Sequence, residues 1–223
     1  MAAELTPKGL GAETVLDPRV CDCCQTTAVR TPRGVVVAYR DRSPEEVRDI
    51  SLVRYENGLW TEPYALSHDG WKIPGCPVNG PALDAAGLGV VAAWFTMANG
   101  TAAVRVALSR DGGATFSEPV RADDGKPLGR VDVVALPSGD ALIVWVESGA
   151  GNEAQLRARR VRLAGGTDAS FVVAATSANR ASGVPHAVFA DSRLYFAWTD
   201  EGEGGARPSQ VRLATLEVPS SWR

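Results

Sequence analysis

Apolar residues along this chain fall into short runs, not into helical stripes. Four runs end in an aromatic residue followed by polar ones: GVVVAYRD (34–41), GVVAAWFT (89–96), ALIVWVES (141–148) and RLYFAWTD (193–200). Aligned on Tyr39, Trp94, Trp145 and Trp198, they recur at steps of 55, 51 and 53 residues. Unrelated strands would not hold that phase. A shorter apolar segment precedes each run: TTAVRT (26–31), GPALDA (80–85), RVDVVAL (130–136) and VPHAVFA (184–190). An alternating segment follows each: DISLVRY (49–55), AVRVALS (103–109), LRARRVRL (156–163) and QVRLATLEV (210–218). The first three units add a further segment: LWTEPYALS (59–67), TFSEPVRAD (115–123) and SFVVAATS (170–177). Alternation with period two, bounded by Gly and Pro, marks strands. No stretch of ten residues holds a 3.6-residue period, so long helices are not expected.

Four short strands repeated every fifty-odd residues is the pattern of β-propeller blades. The near-continuous apolar second strands fit sheets covered on both faces by neighbours. The expected fold is all-β: a single propeller domain over 1–223 with about four four-stranded blades, at 21–75, 76–129, 130–180 and 181–218. The last unit lacks its fourth strand. The N-terminal GAETVLDPRV (11–20) resembles the missing one and would close the ring against 210–218, removing exposed edges. The rival is a truncated form of a larger propeller that completes itself as a homo-dimer.

Charge and composition exclude some partners. The net charge is −3, and the one dense basic run, RARRVR (157–162), alternates with apolar residues as a solvated strand face does. No nucleic-acid partner is expected. No stretch approaches the roughly 18 apolar residues of a membrane span, so no membrane partner is expected. The start, MAAELTPKGLGAETV, lacks the apolar core of a signal peptide. As written the chain reads as cytoplasmic, with a periplasmic or secreted parent protein as the alternative.

One motif carries a family resemblance. SRDGGATF (109–116) fits S-x-D-x-G-x-T-F/W, with Ser109, Asp111, Gly113, Thr115 and Phe116 at the five defined positions, and YENGLW (55–60) is a degenerate relative. This resembles the Asp-box, or bacterial neuraminidase repeat, of sialidase-like propellers, which sits between third and fourth strands as here. The resemblance implies a structural role: Asp111 bonding backbone N–H groups of the turn, Gly112 and Gly113 at positive φ, and Phe116 plugged between strands. It implies a fold more strongly than a reaction. The arginine motif of sialidases, Phe/Tyr-Arg-Ile/Leu-Pro, is absent, and YRDR (39–42) does not match it. The sequence therefore points to a sialidase-like hydrolase without pointing to exo-sialidase activity.

The repeat also assigns places to the polar residues. In a propeller, loops leading into first strands and loops leaving second strands share the funnel face. The former are CDCCQ (21–25), GCPVNG (75–80), PLGRVD (127–132) and ASGVPH (181–186); the latter begin at YRDRS (39–43), WFTMANG (94–100), VESGAGN (146–152) and WTDEGEG (198–204). Candidate catalytic residues are Asp132, His186, Arg130 and Arg40, with a carboxylate or His186 as general base and an arginine holding an anionic group. Asn79, Gln25, Asp41 and Trp71 are candidate ligand contacts. All four cysteines fall on the same face. Cys21, Cys23, Cys24 and Cys76, with His68, form a soft ligand set suited to Zn or Cu, although C-x-C-C is not the common C-x2-C spacing. Three other readings stay open: a disulfide from Cys76, which needs an oxidising compartment, a cysteine nucleophile with His186 as base, and plain buried thiols. The expected function is hydrolysis of a small polar or anionic glycoside or ester in the funnel. The alternative is a non-catalytic module that binds a carbohydrate, a metal or a protein.

Overall fold

The computed structural model describes residues 1–201 and 208–222. The part of the WTDEGEG loop beyond Glu201 lies outside the described residues.

The chain opens with a small hairpin, β1 (Leu5–Thr6) and β2 (Gly9–Leu10). Four antiparallel meanders follow. The first contains β3 (Thr27–Thr31), β4 (Gly34–Arg40), β5 (Ile50–Glu56) and β6 (Leu59–Trp60), with β7 (Tyr64–Ala65) also paired to β5. The second contains β8 (Ala82–Ala86), β9 (Gly89–Thr96), β10 (Ala103–Ser109) and β11 (Val120–Arg121). The third contains β12 (Pro127–Ala135), β13 (Ala141–Ser148), β14 (Glu153–Val161) and β15 (Phe171–Ser177). The fourth contains β16 (His186–Ala190), β17 (Arg193–Asp200) and β18 (Gln210–Glu217).

These strands follow the apolar pattern closely, except that the fourth strands of the first two units are stubs. Proline explains both. Lacking an N–H, it cannot donate to a ladder. Pro63 falls between β6 and β7, and Pro119 precedes the two-residue β11.

The sheets pack face to face, and successive first strands β3, β8, β12 and β16 lie side by side. Between the first two sheets, Val36, Ala38, Ile50 and Leu52 meet Leu83, Ala92 and Trp94. Between the second and third, Val91, Ala93 and Phe95 meet Val131, Ile143 and Trp145. Between the third and fourth, Leu142, Val144 and Leu156 meet Leu194 and Phe196. Alternate residues of β9 and of β13 therefore enter different cores. That is why these strands read as unbroken apolar runs. Trp94 and Trp145 are fully buried, and each ring N–H has a carboxylate partner, Asp69 Oδ2 at 2.7 Å and Glu147 Oε2 at 2.6 Å.

Polar side chains on or just before the first strands tie each sheet to the next. Gln25 Oε1 accepts from the Gly80 N–H at 2.9 Å, Asp84 Oδ2 from Ala135 at 2.8 Å, and Asp132 Oδ2 from Ala187 at 2.7 Å. The approach at Gly80 is so close that a Cβ there would lie 2.1 Å from the Gln25 carbonyl oxygen.

The turn at 109–116 behaves as a hairpin device. Asp111 Oδ1 accepts from the N–H groups of Ala114 and Thr115 at 3.0 and 2.9 Å, and its Oδ2 from the Thr115 hydroxyl at 2.7 Å. Burial opposes charge on Asp111, but these donors and Ser109 outweigh it and hold the carboxyl down at about 2. Gly112 and Gly113 take φ of 74° and 82°, and Phe116 packs against the core between the first two sheets.

The expected closure by residues 11–20 is corrected. That stretch lies against the first sheet: Val20 bridges Asp41, and the Tyr39 hydroxyl donates to Asp17 Oδ2 at 2.7 Å. Among the described residues β18 pairs with β17 alone, and its Val211 and Leu213 are 74% and 73% exposed. Among the described residues, no helix is long and apolar enough to cross a membrane.

Candidate functional site

Two groups of side chains gather on the face formed by the loops leading into the first strands. The first lies at the junction of sheets one and two. The Val20–Asp41 bridge sets the CDCC loop beside β4, and the Cys21 N–H donates to the Arg40 carbonyl at 2.9 Å. Cys23 and Cys76 form a disulfide with Cα atoms 6.1 Å apart, stapling the first sheet to the second. Cys21 and Cys24 are free thiols. The Cys21 Sγ lies 3.4 Å from both Cys23 Sγ and Cys24 Sγ, and Arg48 Nη1 donates to it at 3.0 Å. Burial pushes the Cys24 thiol up to about 11, against the pull of the Asn79 backbone.

Several expected ligand residues are committed elsewhere in this region. Arg40 is 1% exposed. Its Nε and Nη2 donate to the carbonyls of Asn79 and Phe95, each at 2.7 Å, and its Nη1 to that of Arg48. Its guanidinium also lies 4.8 Å from the centre of the Trp71 ring. Arg40 is therefore a wedge between sheets, and the expectation that it holds a substrate anion is corrected. Trp71 is buried edge-on against Phe95 and offers no open stacking face, which corrects its expected place as a ligand contact. Asp49 fixes the loop carrying Trp71 by accepting from the N–H groups of Gly70 and Trp71 at 2.8 and 3.0 Å. Gln25 is occupied by Gly80, and Asp41 accepts from the Ser51 hydroxyl at 3.1 Å. His68 is exposed and lines a separate cavity of about 680 Å³ with Asp69, Thr96 and Arg105. It does not join the cysteines, which corrects its place in the metal set.

The second group lies where the third and fourth sheets meet. A cavity of about 280 Å³ is lined by Asn79, Leu128, Arg130, Arg180, Gly183 and Val184, among others. Its shape depends on a bulge. The β12 register shifts between Gly129 and Asp132, and Arg130 sits there at φ 53°. Bulges re-aim side chains in this way. The Arg130 N–H donates to Asn79 Oδ1 at 2.7 Å, and a Cβ at Gly129 would lie 2.3 Å from that oxygen. The Arg130 guanidinium reaches the Ser182 hydroxyl at 2.5 Å and the Ala178 carbonyl at 2.8 Å. Burial lowers its affinity for the proton, Glu201 opposes that, and Arg180 adds to it. Arg180 is exposed.

Asp132 follows on the same strand. Burial pushes its carboxyl up, with the Ala187 and Val133 N–H groups and His186 pulling it down. The His186 Nδ1 is 3.6 Å from Asp132 Oδ2, and the His186 side chain is 76% exposed. It thus faces a carboxylate in the open, away from the sulfur cluster, which contains no histidine.

Arg48, Asp49 and Arg180 escaped the sequence reading. They lie in or beside irregular loops that hold no phase with the repeat. Arg180 stands one residue before the ASGVPH segment, and an extended window on that loop would have included it.

No protein-family model and no curated protein matches the chain. Solved structures do. The Hadza microbial sialidase Hz136 superposes with a TM-score of 0.55 at 18% identity, covering 85% of this chain and 43% of that one. The GH43 BlXynB protein from Bacillus licheniformis gives 0.56 at 11% identity, over 92% of this chain and 42% of that one. A thermostable family-43 glycoside hydrolase gives 0.51 at 14% identity, over 94% and 74%. The chain thus spans less than half the length of the first two. These neighbours are β-propeller enzymes, and at such identities the likeness is one of fold.

Proposed function

We propose that the chain is a single sialidase-like propeller domain of about four blades that hydrolyses a small anionic substrate, a glycoside or an ester. The observation that carries this reading is the cavity lined by both Arg130 and Arg180, with Asp132 two residues further along β12. Two guanidinium groups beside one opening suit a carboxylate, sulfate or phosphate substituent. Arg180, exposed, makes the direct contact, while Arg130 supplies field and shape from behind it. A carboxyl raised by burial keeps its proton closer to neutral pH than an ordinary one. Asp132 can therefore deliver a proton to a leaving oxygen, with His186 as the exchange route to solvent. The fold neighbours include a sialidase and family-43 glycoside hydrolases, which supports the hydrolase class.

The test is a panel of aryl glycosides and esters, with and without an anionic substituent. Asp132→Asn is expected to lower kcat by about 10²-fold or more. Arg180→Ala is expected to raise KM for the anionic members alone. Wild-type protein that turns over nothing on the panel would defeat the hydrolase reading. The binding module would then be favoured.

A further inference from the structure

We infer that reduction of the Cys23–Cys76 disulfide opens a cysteine-only site for one thiophilic d10 cation, Zn²⁺ or Cu⁺, at the junction of the first two sheets. Four sulfurs from two separate loops already meet there. Those of Cys21, Cys23 and Cys24 lie within 4.8 Å of one another, and Cys76 is held to the cluster by its bond to Cys23. A tetrahedral site with metal–sulfur bonds of about 2.3 Å has sulfur–sulfur edges of about 3.8 Å. The two 3.4 Å separations from Cys21 need to open by only a few tenths of an ångström to match. Carboxylates and histidines are missing from the group, which selects soft cations over Mg²⁺ or Ca²⁺.

Arg48 is the second indication. It is 4% exposed, its Nη1 donates to Cys21 Sγ, and its Nε–H is buried without a hydrogen-bond partner among the described residues. A buried donor left unmatched is costly. A metal thiolate offers several lone pairs on sulfur where a disulfide and two thiols offer weak acceptors. Arg48 is also paired with Glu46 at 2.7 Å, so Arg40, buried nearby, is the guanidinium left to oppose the negative charge that a thiolate cluster builds.

Access runs through Cys76, which is exposed, whereas Cys21 is buried. An external thiolate attacks the Cys76 sulfur, the Cys23–Cys76 bond breaks, and Cys23 leaves as thiolate. A second thiol then resolves the mixed disulfide, releasing Cys76 and carrying away the oxidised dithiol. Two electrons pass to the protein. The cation then replaces the remaining thiol protons, which go to solvent.

The test compares the full chain as isolated with the chain reduced by a dithiol and desalted anaerobically. Thiol titration is expected to give two thiols before reduction and four after. Zn²⁺ is then titrated against a chromophoric chelator, and Cu⁺ against a Cu⁺-specific one, so that the two arms tell the cations apart. The reduced protein should take up one equivalent of at least one cation, and the oxidised protein at least 10-fold less tightly. Arg48→Met should weaken uptake by about 10- to 100-fold while leaving the far-ultraviolet circular dichroism unchanged. Cys76→Ser frees Cys23 without any reductant and should also bind. Reduced protein, or folded Cys76→Ser protein, that takes up neither cation would overturn the proposal. Equal uptake by oxidised and reduced protein would overturn it as well.

Discussion

The two junctions that carry the candidate chemistry use arginine in opposite ways. Between the first and second sheets, Arg40 is 1% exposed and its donors end on three backbone carbonyls. Between the third and fourth, Arg130 is 8% exposed at the back of a cavity, and the exposed Arg180 stands at its mouth. The first junction is sealed by Trp71, Arg40 and the disulfide. The second is left open by the β12 bulge and the small residues Ala178 and Gly183. A guanidinium with its N–H groups on protein carbonyls cannot also receive a substrate. The contrast therefore separates guanidinium groups committed to the protein, Arg40 and Arg130, from the exposed Arg180.

The largest effect should come from breaking the sealed side. Arg40→Met leaves three buried carbonyls without donors and should cost about 3–5 kcal/mol in urea denaturation. Arg180→Met should stay within about 0.5 kcal/mol in the same assay. Equal losses at the two positions would erase the distinction. Next comes the staple. The disulfide joins residues 53 apart in sequence, and Cys76→Ser in the presence of chelator should cost about 2–4 kcal/mol. A cost near zero would mean that packing alone holds the sheets in register.

The turn should matter less. Asp111→Ala removes the acceptor for four donors and should cost about 1–3 kcal/mol. Because the folded carboxyl is held at about 2 and its ordinary value is 3.8, its contribution is present above that ordinary value. It is lost as pH falls through the folded value. Wild-type and Asp111→Ala stabilities should therefore converge in acid. Asp132 should show the smallest effect and the opposite sign. Its folded value is raised, so the folded state binds the proton more tightly. The benefit is present in acid and fades as pH rises from the ordinary carboxyl value through the folded one. Asp132→Asn, which keeps an acceptor for Ala187, should gain on wild type across that rise. A flat difference would mean that the carboxyl is not perturbed.

The sequence made the sheets legible because both faces of β9 and β13 are buried, which leaves long apolar runs in strict phase. The stubs β6, β7 and β11 were less legible, since a proline removes a donor without changing the apolar pattern around it. The N-terminal stretch was misplaced for a related reason. Its resemblance to a fourth strand is real, but the Tyr39 hydroxyl bond to Asp17 and the Val20–Asp41 bridge hold it to the first sheet. For the site, the repeat placed loops on a face and so brought Cys76 to the CDCC loop. It could not choose Cys23 over its two neighbours, because that depends on the path of a few irregular residues. Nor could it tell that of the adjacent Arg40 and Asp41 the first turns inward. Periodicity locates residues along a strand, whereas burial of a charge depends on what the neighbouring sheet offers it.

The most direct measurement is a titration of isotope-labelled protein with anionic sugars, glucuronic and sialic acids, followed by amide chemical shifts. Shifts confined to Leu128, Arg130, Ala178, Arg180 and Gly183, and abolished by Arg180→Ala, are the predicted result. Shifts centred on Trp71, Asp41 and Arg40, or persisting in Arg180→Ala, would contradict the assignment of the open junction as the binding site.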